Sequence, residues 1–283
     1  MRLGFLTGYS AERVKFAREA GFTCLELQAG PGSPLDATKV GDNLNRIKDT
    51  LDEHGIAVSA LACYFNHLEE GKEEERAAYF DQVIQMAPRL DCHVIATMGG
   101  ATAKTRETGK LEESVAAFQK IFTEHARIAE DNGVKIAFEN WPGGHPWPLM
   151  INIAISPAAW DMMFDAVPSP ALGLEYDPSH LVRLNIDSIA PIQRFAARIH
   201  HVHAKDTTIY PDVLNNVGYI GQGWWHYSIP SRGVVDWPAF FEALREIGYD
   251  GDIDIEHEDP DFSGDKFDEG LYLGQKFLSQ FVQ

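Results

Sequence analysis

Residues 172–180 read LGLEYDPSH, a short apolar run that ends in an aspartate. Leu172, Leu174 and Tyr176 alternate with residues of the opposite face, which is typical of a β-strand, and Asp177 belongs to that opposite face. Seven further runs of this kind also predict strands. They are LGFLT at 3–7, TCLELQ at 23–28, AVSALACY at 57–64, HVIATM at 93–98, KIAFEN at 135–140, RIHHVHAK at 198–205 and DIDIEHE at 252–258.

Longer amphipathic segments separate these runs and predict helices at 10–20, 38–54, 72–90, 109–132, 156–167, 185–197, 236–248 and 263–281. Several helices end in a glycine such as Gly21 or Gly133, which suits a left-handed C-cap. Eight strands, each followed by a helix, predict an α/β fold of the (β/α)₈ TIM-barrel type. No break in composition divides residues 1–283, so we expect a single domain. The long connection at 204–235 is typical of a functional segment.

The charge of the chain limits its partners. It has 24 basic and 42 acidic residues, a formal net charge of −18 and no block rich in lysine or arginine, which disfavours nucleic-acid binding. Three cysteines, Cys24, Cys63 and Cys92, lie in apolar runs, as buried thiols of a reducing compartment do. No apolar run reaches membrane-spanning length, and MRLGFLTG begins as a strand rather than a leader. We therefore expect a soluble, cytoplasmic protein with no membrane partner.

Four successive strands in the second half of the chain end in potential metal ligands: Glu139, Asp177, His203 and Glu256. Alternation places these side chains inward, at the C-terminal mouth of the barrel, where catalytic groups cluster. Three carboxylates brought together repel one another unless a cation lies between them. Such an oxygen-rich set suits Mn²⁺, Mg²⁺ or Co²⁺, and the imidazole keeps Zn²⁺ open. The alternative is that the four residues are separate and solvated.

The series Glu139, Asp177-Pro-Ser-His180, His203-Ala-Lys-Asp206 and Glu256 resembles the xylose-isomerase-like barrel superfamily. It is most similar to the sugar (phosphate) isomerase/epimerase group that includes the tagatose and allulose 3-epimerases. The resemblance implies that Glu139, Asp177, His203 and Glu256 bind one divalent metal ion, for which we expect Mn²⁺. It also implies that the two glutamates transfer protons and that His180 contacts a substrate oxygen.

These residues suit the isomerisation or epimerisation of a sugar. A carbonyl and its neighbouring hydroxyl can chelate the metal, which stabilises the enediolate formed when the α-proton leaves. Epimerisation needs an acid/base on each face of the sugar, and Glu139 and Glu256 could flank it. The last strand is followed by EHEDPDFSGD, which would repel a phosphate, so we expect a neutral ketose or keto-sugar. A lyase or hydratase acting on a 3-keto-glycoside or oxidised sugar would use the same proton abstraction, and the sequence does not separate the two outcomes.

Further residues are candidates for substrate binding. Trp225 on the long connection, close to Trp224 and Tyr227, could serve a lid, an anchor of the loop or a subunit contact, and a homo-oligomer is compatible with the sequence. Lys205 could orient the metal ligands or contact substrate. The remaining candidates are His145 in the loop after Glu139, Arg232 on the long connection, and Glu26 at the end of an early strand. The side chain of Glu26 either reaches the pocket or forms a salt bridge inside the barrel. His67, His93 and His257 are not expected to be ligands.

Two other classes of protein share parts of this pattern. The type-IV apurinic endonucleases resemble the chain at the same five positions, from Glu139 to Glu256. They also need histidines after earlier strands and an Asp-x-His pair on the loop after the seventh strand, where this chain has NNVGYIGQG. A barrel that binds no metal and acts only as a binding or scaffold protein is the other alternative, because fold alone does not give function.

Overall fold

The computed structural model describes residues 1–143 and 151–282. Eight parallel strands close a barrel in the order β1, β2, β3, β4, β5, β6, β7 and β10. Two more strands, β8 and β9, form an antiparallel pair outside the barrel. The strands are β1 Leu3–Thr7, β2 Cys24–Gln28, β3 Ala57–Ala62, β4 Val94–Thr97, β5 Lys135–Glu139, β6 Leu172–Tyr176, β7 Ile199–His203, β8 Asp206–Ile209, β9 Trp225–Ser228 and β10 Ile253–Ile255. The predicted (β/α)₈ barrel is therefore confirmed.

Helices surround the barrel and cover the apolar outer face of its strands. They are α1 Ala11–Ala20, α2 Asn43–His54, α3 Glu73–Met86, α4 Ala103–Thr108, α5 Val115–Asp131, α6 Pro157–Ala166, α7 Pro178–Arg183, α8 Ala190–Arg194, α9 Pro211–Val217, α10 Trp237–Glu246 and α11 Phe267–Leu278. Short 3₁₀ turns precede or follow several of them. Within the described residues, no helix is long and apolar enough to cross a membrane.

The apolar side chains that alternate along each strand point away from the barrel axis. On β5, Ile136 and Phe138 are fully buried under the helices, while Glu139 belongs to the inner face. On β10, Ile253 and Ile255 pack in the same way and Asp254 points inward. Burial of the apolar face is the main stabilising contribution, and it fixes which residues of each strand face the barrel interior.

Several predicted helix boundaries were wrong. In the segments predicted as helices at 38–54 and 109–132, the long α-helix begins only at Asn43 and at Val115. The segment 185–197 contains only the short α8, and the preceding helix α7 was not predicted. In that region Pro178 stands in the first turn of α7 and Pro191 in the first turn of α8, so each proline fits the start of a separate short helix and not one long one.

The long connection after β7 is an ordered insertion. β8 pairs with β9 from Asp206 to Ser228, and α9 lies between them. Asp206 holds the base of this insertion, because its carboxylate accepts hydrogen bonds from the backbone of Thr207 and Val235 and from the indole of Trp237. It therefore anchors the loop.

Candidate functional site

Side chains from four strand ends meet at the C-terminal mouth of the barrel. Ligand atoms of Glu139, Asp177, His180 and Glu256 all lie within 4.8 Å of one another. Nδ1 of His203 faces the same space, 3.8 Å from a carboxylate oxygen of Glu139 and 3.4 Å from one of Glu256. The structure thus brings the four predicted metal ligands together and places His180 beside them.

The backbone around Asp177 is held by an amide that the sequence reasoning missed. Asn140 accepts a hydrogen bond from the backbone N–H of Asp177 at 2.8 Å and donates one to its carbonyl at 2.9 Å. The backbone N–H of Ser179 donates to Oδ1 of Asp177 at 2.7 Å, which leaves Oδ2 directed into the mouth. The signal was present in the sequence, since Asn140 directly follows Glu139 at the end of β5.

Two atoms of the mouth cluster are buried without a hydrogen-bond partner: Oδ2 of Asp177 and Nδ1 of His203. Buried polar atoms are nearly always partnered. Oδ2 of Asp177 has only longer ion-pair contacts, with Nζ of Lys205 at 3.4 Å and Nε2 of His180 at 3.3 Å. Nδ1 of His203 faces only carboxylates, so both atoms are free to ligate a cation. Oxygen atoms of Glu139 and Glu256 complete a set of three carboxylates and one imidazole, which is a donor set for a hard or borderline divalent ion. The residues present therefore fit a single divalent cation.

A buried ammonium lies against the same carboxylates. Nζ of Lys205 is 3.4 Å from Oδ2 of Asp177 and 2.9 Å from Glu258, and it also donates to Glu256. Burial opposes ionisation of Glu256, but the ammonium of Lys205 and the ring of His203 hold its pKa well below the usual value. Burial and the nearby carboxylate of Glu256 raise the pKa of Glu139 to about 8.

The hydrogen-bond donors and acceptors around His180 indicate which nitrogen of its ring carries the proton. Arg183 donates to the phenol oxygen of Tyr227 at 3.2 Å, and that oxygen lies 2.8 Å from Nδ1 of His180. When Tyr227 donates its O–H to Nδ1, the ring proton stands on Nε2, which is 3.1 Å from Glu139 and 3.3 Å from Asp177. His180 is then a hydrogen-bond donor at the mouth, which suits contact with a substrate oxygen better than metal ligation.

A second group of polar side chains lies below the mouth, inside the barrel. Glu26, Glu175, His201 and His203 are buried and place ligand atoms within 4.8 Å of one another. Of the two positions expected for Glu26, the structure shows the one inside the barrel, where its carboxylate contacts His203 and Tyr64 rather than open space. Sequence reasoning missed Glu175, although it shares the inward parity of Asp177 on β6.

The remaining predicted residues lie at different distances from the mouth. Trp225 on β9 packs against Tyr227 with ring centroids 4.8 Å apart, and the guanidinium of Arg183 lies 4.2 Å from the centroid of its ring. Arg232 is directed to Asp259 and Asp261 on the rim, so the structure does not bring it to the cluster. His145 lies outside the described residues, and the substrate-binding roles of all three stay predictions.

Two histidines that were not expected to be ligands, His257 and His67, lie outside the mouth cluster. His257 points away from the mouth and stacks on Phe267 with ring centroids 4.3 Å apart. His67 is buried in the core, where it contacts the hydroxyl of Thr97 at 2.8 Å. Asp252, at the opposite end of the barrel, pairs with Arg2 at 2.6 Å.

The closed parallel barrel and the ligand cluster at its mouth define a (β/α)₈ barrel with a candidate metal site. A family model described as xylose isomerase-like TIM barrel matches residues 14–278, and the chain belongs to this family. An inosose dehydratase of Clostridium beijerinckii is 26% identical over 242 residues, covering 78% of this chain and 77% of that protein. A ketose 3-epimerase of Arthrobacter globiformis is 23% identical over 261 residues, covering 88% of this chain and 78% of that protein.

Solved structures share the fold. The IOLI protein with a bound zinc atom superimposes with a TM-score of 0.76 and 20% identity, and the match covers 100% of this chain and 98% of that one. A D-tagatose 3-epimerase-like protein gives a TM-score of 0.77 and 18% identity, with 100% and 97% covered. The relatives include both epimerases and dehydratases, so the chain belongs to an enzyme superfamily in which either reaction occurs.

Proposed function

We propose that the protein is a divalent-metal-dependent sugar isomerase or epimerase that acts on a neutral ketose or keto-sugar. The observation that carries the proposal is the meeting of three carboxylates, those of Glu139, Asp177 and Glu256, with the ring of His203 at the mouth of the barrel. A divalent cation held by these residues would polarise a sugar carbonyl and stabilise the enediolate formed on loss of the adjacent proton.

The two glutamates have the environments that proton transfer requires. Without a metal, burial and the carboxylate of Glu256 raise the pKa of Glu139 to about 8, while Glu256 is kept ionised beside Lys205. A bound cation would release the proton of Glu139, which leaves two carboxylates that can each accept a proton. They stand on β5 and after β10, with β6 and β7 between them in the barrel order. A sugar lying across the mouth would therefore meet one carboxyl from each side, as inversion of a carbon requires.

His180 and the insertion would bind and shield the substrate. His180 offers an N–H at the mouth, held in place by Tyr227. The aromatic rings of Tyr227 and Trp225 belong to β9 and stand beside the same helix, α7. Aromatic faces pack well against the apolar side of a sugar ring, and they exclude water from the reacting carbons.

A metal-dependent lyase or dehydratase is the second candidate. The observation that favours it is the similarity to the inosose dehydratase, which is comparable in extent to that with the ketose 3-epimerase. Both reactions begin with removal of a proton next to a carbonyl. They differ in the next step, since the lyase expels a leaving group from the β-carbon and the epimerase returns a proton to the α-carbon.

Metal binding is tested first, because both candidates depend on it. We expect purified protein stripped with a chelator to bind one equivalent of Mn²⁺ and to gain thermal stability on binding, about 2.7 kcal/mol at a hundredfold excess over the dissociation constant. The Asp177→Asn variant should lose most of this gain. The matched control is Asp252→Asn at the opposite end of the barrel, which should keep it. Wild-type protein that binds no divalent ion would reject both candidates in favour of a metal-free barrel.

The reaction is tested by proton exchange. Mn²⁺-loaded protein is incubated in deuterated water with a panel of ketoses and 3-keto-glycosides, and exchange and product are followed by NMR and mass spectrometry. Deuterium incorporation without bond cleavage is expected, whereas release of water or an aglycone would select the lyase. Glu139→Gln and Glu256→Gln should each stop exchange, while Glu258→Gln, a carboxyl of the same rim outside the cluster, should retain it. Undiminished exchange in either of the first two variants would refute the assignment of that glutamate.

A further inference from the structure

A chain of charged side chains crosses the barrel interior below the mouth. Oδ2 of Asp254 lies 3.0 Å from Nε2 of His201, and the same nitrogen lies 3.6 Å from Oε2 of Glu26. That carboxylate oxygen lies 2.6 Å from Nε2 of His203. All four side chains are essentially inaccessible to solvent. This row of side chains therefore connects β10, β7 and β2, and it ends on His203, a predicted metal ligand.

The two nitrogens of the His203 ring face different partners. Nε2 points down to the carboxylate of Glu26, whereas Nδ1 points up, has no hydrogen-bond partner and lies 3.4 Å from Glu256. An ionised carboxylate accepts hydrogen bonds only, so the short contact requires a proton on Nε2. A neutral ring with its proton on Nε2 has its lone pair on Nδ1, which is the atom that faces the mouth.

The carboxylate of Glu26 is itself fixed on its other side. The hydroxyl of Tyr64 lies 3.0 Å from Oε1 of Glu26, while Oε2 makes the bond to His203. The same hydroxyl lies 2.6 Å from Oε2 of Glu175 and shares its one proton between the two carboxyl groups, so the position of Tyr64 is set from two strands. Both oxygens of Glu26 are therefore engaged, and its carboxylate has no freedom to turn toward the mouth.

We propose that Glu26 is a positioning residue, which holds the proton of His203 on Nε2 and thereby presents the lone pair of Nδ1 to the candidate metal site. The proposal rests on the proposed function, because it assumes that the mouth binds a cation. Histidines that bind metals usually donate their other N–H to a carboxylate or carbonyl, which fixes the ring and increases its basicity. Glu26 is thus assigned to the metal site without contacting metal or substrate.

The competing arrangement is a second metal ion inside the barrel. Glu26, Glu175, His201 and His203 form a group whose ligand atoms lie within 4.8 Å of one another, as a metal site requires. A metal there would use Nε2 of His203 and displace the hydrogen bond to Glu26. The two arrangements predict different protonation of one ring nitrogen and different metal stoichiometry, which makes them separable.

The test combines nitrogen NMR with metal titration. In ¹⁵N-histidine-labelled protein, with His203 assigned from the His203→Asn variant, we expect Nε2 to carry a proton both before and after addition of Zn²⁺. Zn²⁺ should shift Nδ1 alone, at one equivalent. Binding of two equivalents, or coordination through Nε2, would overturn the proposal in favour of the second site, and an unprotonated Nε2 in the metal-free protein would also overturn it.

Variants distinguish positioning from a merely structural role. Glu26→Gln keeps the size of the side chain and removes its charge, and we expect Zn²⁺ affinity to fall by about 10- to 100-fold. The matched control is Asp254→Asn, another fully buried carboxylate of the same interior that contacts His201 and not His203. It should reduce the free energy of unfolding while leaving Zn²⁺ affinity close to that of the wild type.

The outcomes separate this proposal from the proposed function. If wild-type protein binds no divalent ion, the proposed function fails, whereas the protonation of Nε2 can still be read in the metal-free protein. If wild-type protein binds one ion and Glu26→Gln binds it equally well with unchanged Nδ1 coordination, the metal site stands and the positioning role of Glu26 is refuted. Unfolding curves of all variants show whether each one is folded.

Discussion

The phenol oxygen of Tyr227 lies 2.8 Å from Nδ1 of His180, a contact between the insertion after β7 and the helix after β6. Arg183, one turn along that helix, donates to the same oxygen and to the carbonyl of Gly143 at 2.5 Å. The insertion is therefore tied to the site through hydrogen bonds and not only through aromatic packing. A hydrogen bond from the long connection at 204–235 thus orients a histidine at the centre of the mouth.

Tyr227→Phe should impair turnover more than metal binding. The variant keeps the ring but removes the hydroxyl that holds Nδ1 of His180, so the N–H on Nε2 is no longer fixed. We expect kcat to fall about tenfold, equivalent to about 1.4 kcal/mol, with little change in Mn²⁺ affinity. Steady-state kinetics and metal titration measure the two effects. Tyr210→Phe, a more exposed tyrosine of the same insertion, is the control. Equal turnover of Tyr227→Phe and wild type would contradict this role.

Lys205→Met should make the stability of the protein depend more strongly on metal. Removing the ammonium leaves Asp177 and Glu256 without their buried cation, and breaking such a pair costs about 3–5 kcal/mol. The same change removes repulsion between Lys205 and a divalent ion, so Mn²⁺ should bind more tightly. Denaturant unfolding with and without Mn²⁺ measures both. Lys15→Met, which removes an exposed i,i+4 ion pair, should change stability by less than about 1 kcal/mol. Weaker Mn²⁺ binding by Lys205→Met would show that the ammonium holds the ligands in place.

His200 should make the fold sensitive to acid. Burial lowers its pKa to about 4, and the charges of Lys135 and Arg198 add to the effect. The unfolded chain binds the proton near the ordinary pKa of 6.5, so the free energy of unfolding should fall as the pH decreases from about 6.5 to 4 and be unaffected by this group above 6.5. The loss is at most about 3 kcal/mol and is reduced by the partial exposure of the ring.

The His200→Gln variant tests this pH dependence. Its unfolding free energy, measured in denaturant at pH values across this range, should decrease less steeply toward acid than that of the wild type. His93→Gln replaces an exposed histidine and serves as the control. If His200→Gln and wild type lose stability in parallel, the acid sensitivity comes from other groups.

Gly4 on β1 should not accept a side chain. A Cβ at this position would lie 2.2 Å from Oδ1 of Asp254 and 2.4 Å from the carbonyl oxygen of Cys24. Gly4→Ala is therefore expected to cost about 3 kcal/mol, at the upper end of the range for overpacked cores. Thermal or denaturant unfolding gives the value. Gly30→Ala, where a Cβ meets nothing within 4 Å, should have little effect, and equal stability of the two variants would disprove the crowding.

The eight strands and the four metal-ligand candidates were predictable because they depend on short-range patterns. Alternation along one strand is enough to say that Glu139 faces inward while Phe138 faces the helices, and the structure confirms this placement. The helix at 185–197 was mispredicted because Asn185 has a left-handed backbone with φ 56° and Pro191, in the middle of the segment, stands in the first turn of the short helix α8. Helix boundaries depend on such local competition more than on overall amphipathicity.

The sequence by itself determined the barrel, its inward faces and the identity of the residues at its mouth, since each follows from periodicity within one strand. Only the tertiary structure decided which of these residues touch. The contact of Glu26 with His203 joins residues 177 positions apart, and that of Tyr227 with His180 joins residues 47 positions apart. Such contacts depend on how strands and the insertion are placed across the barrel, and no pattern along a single segment of chain encodes that placement.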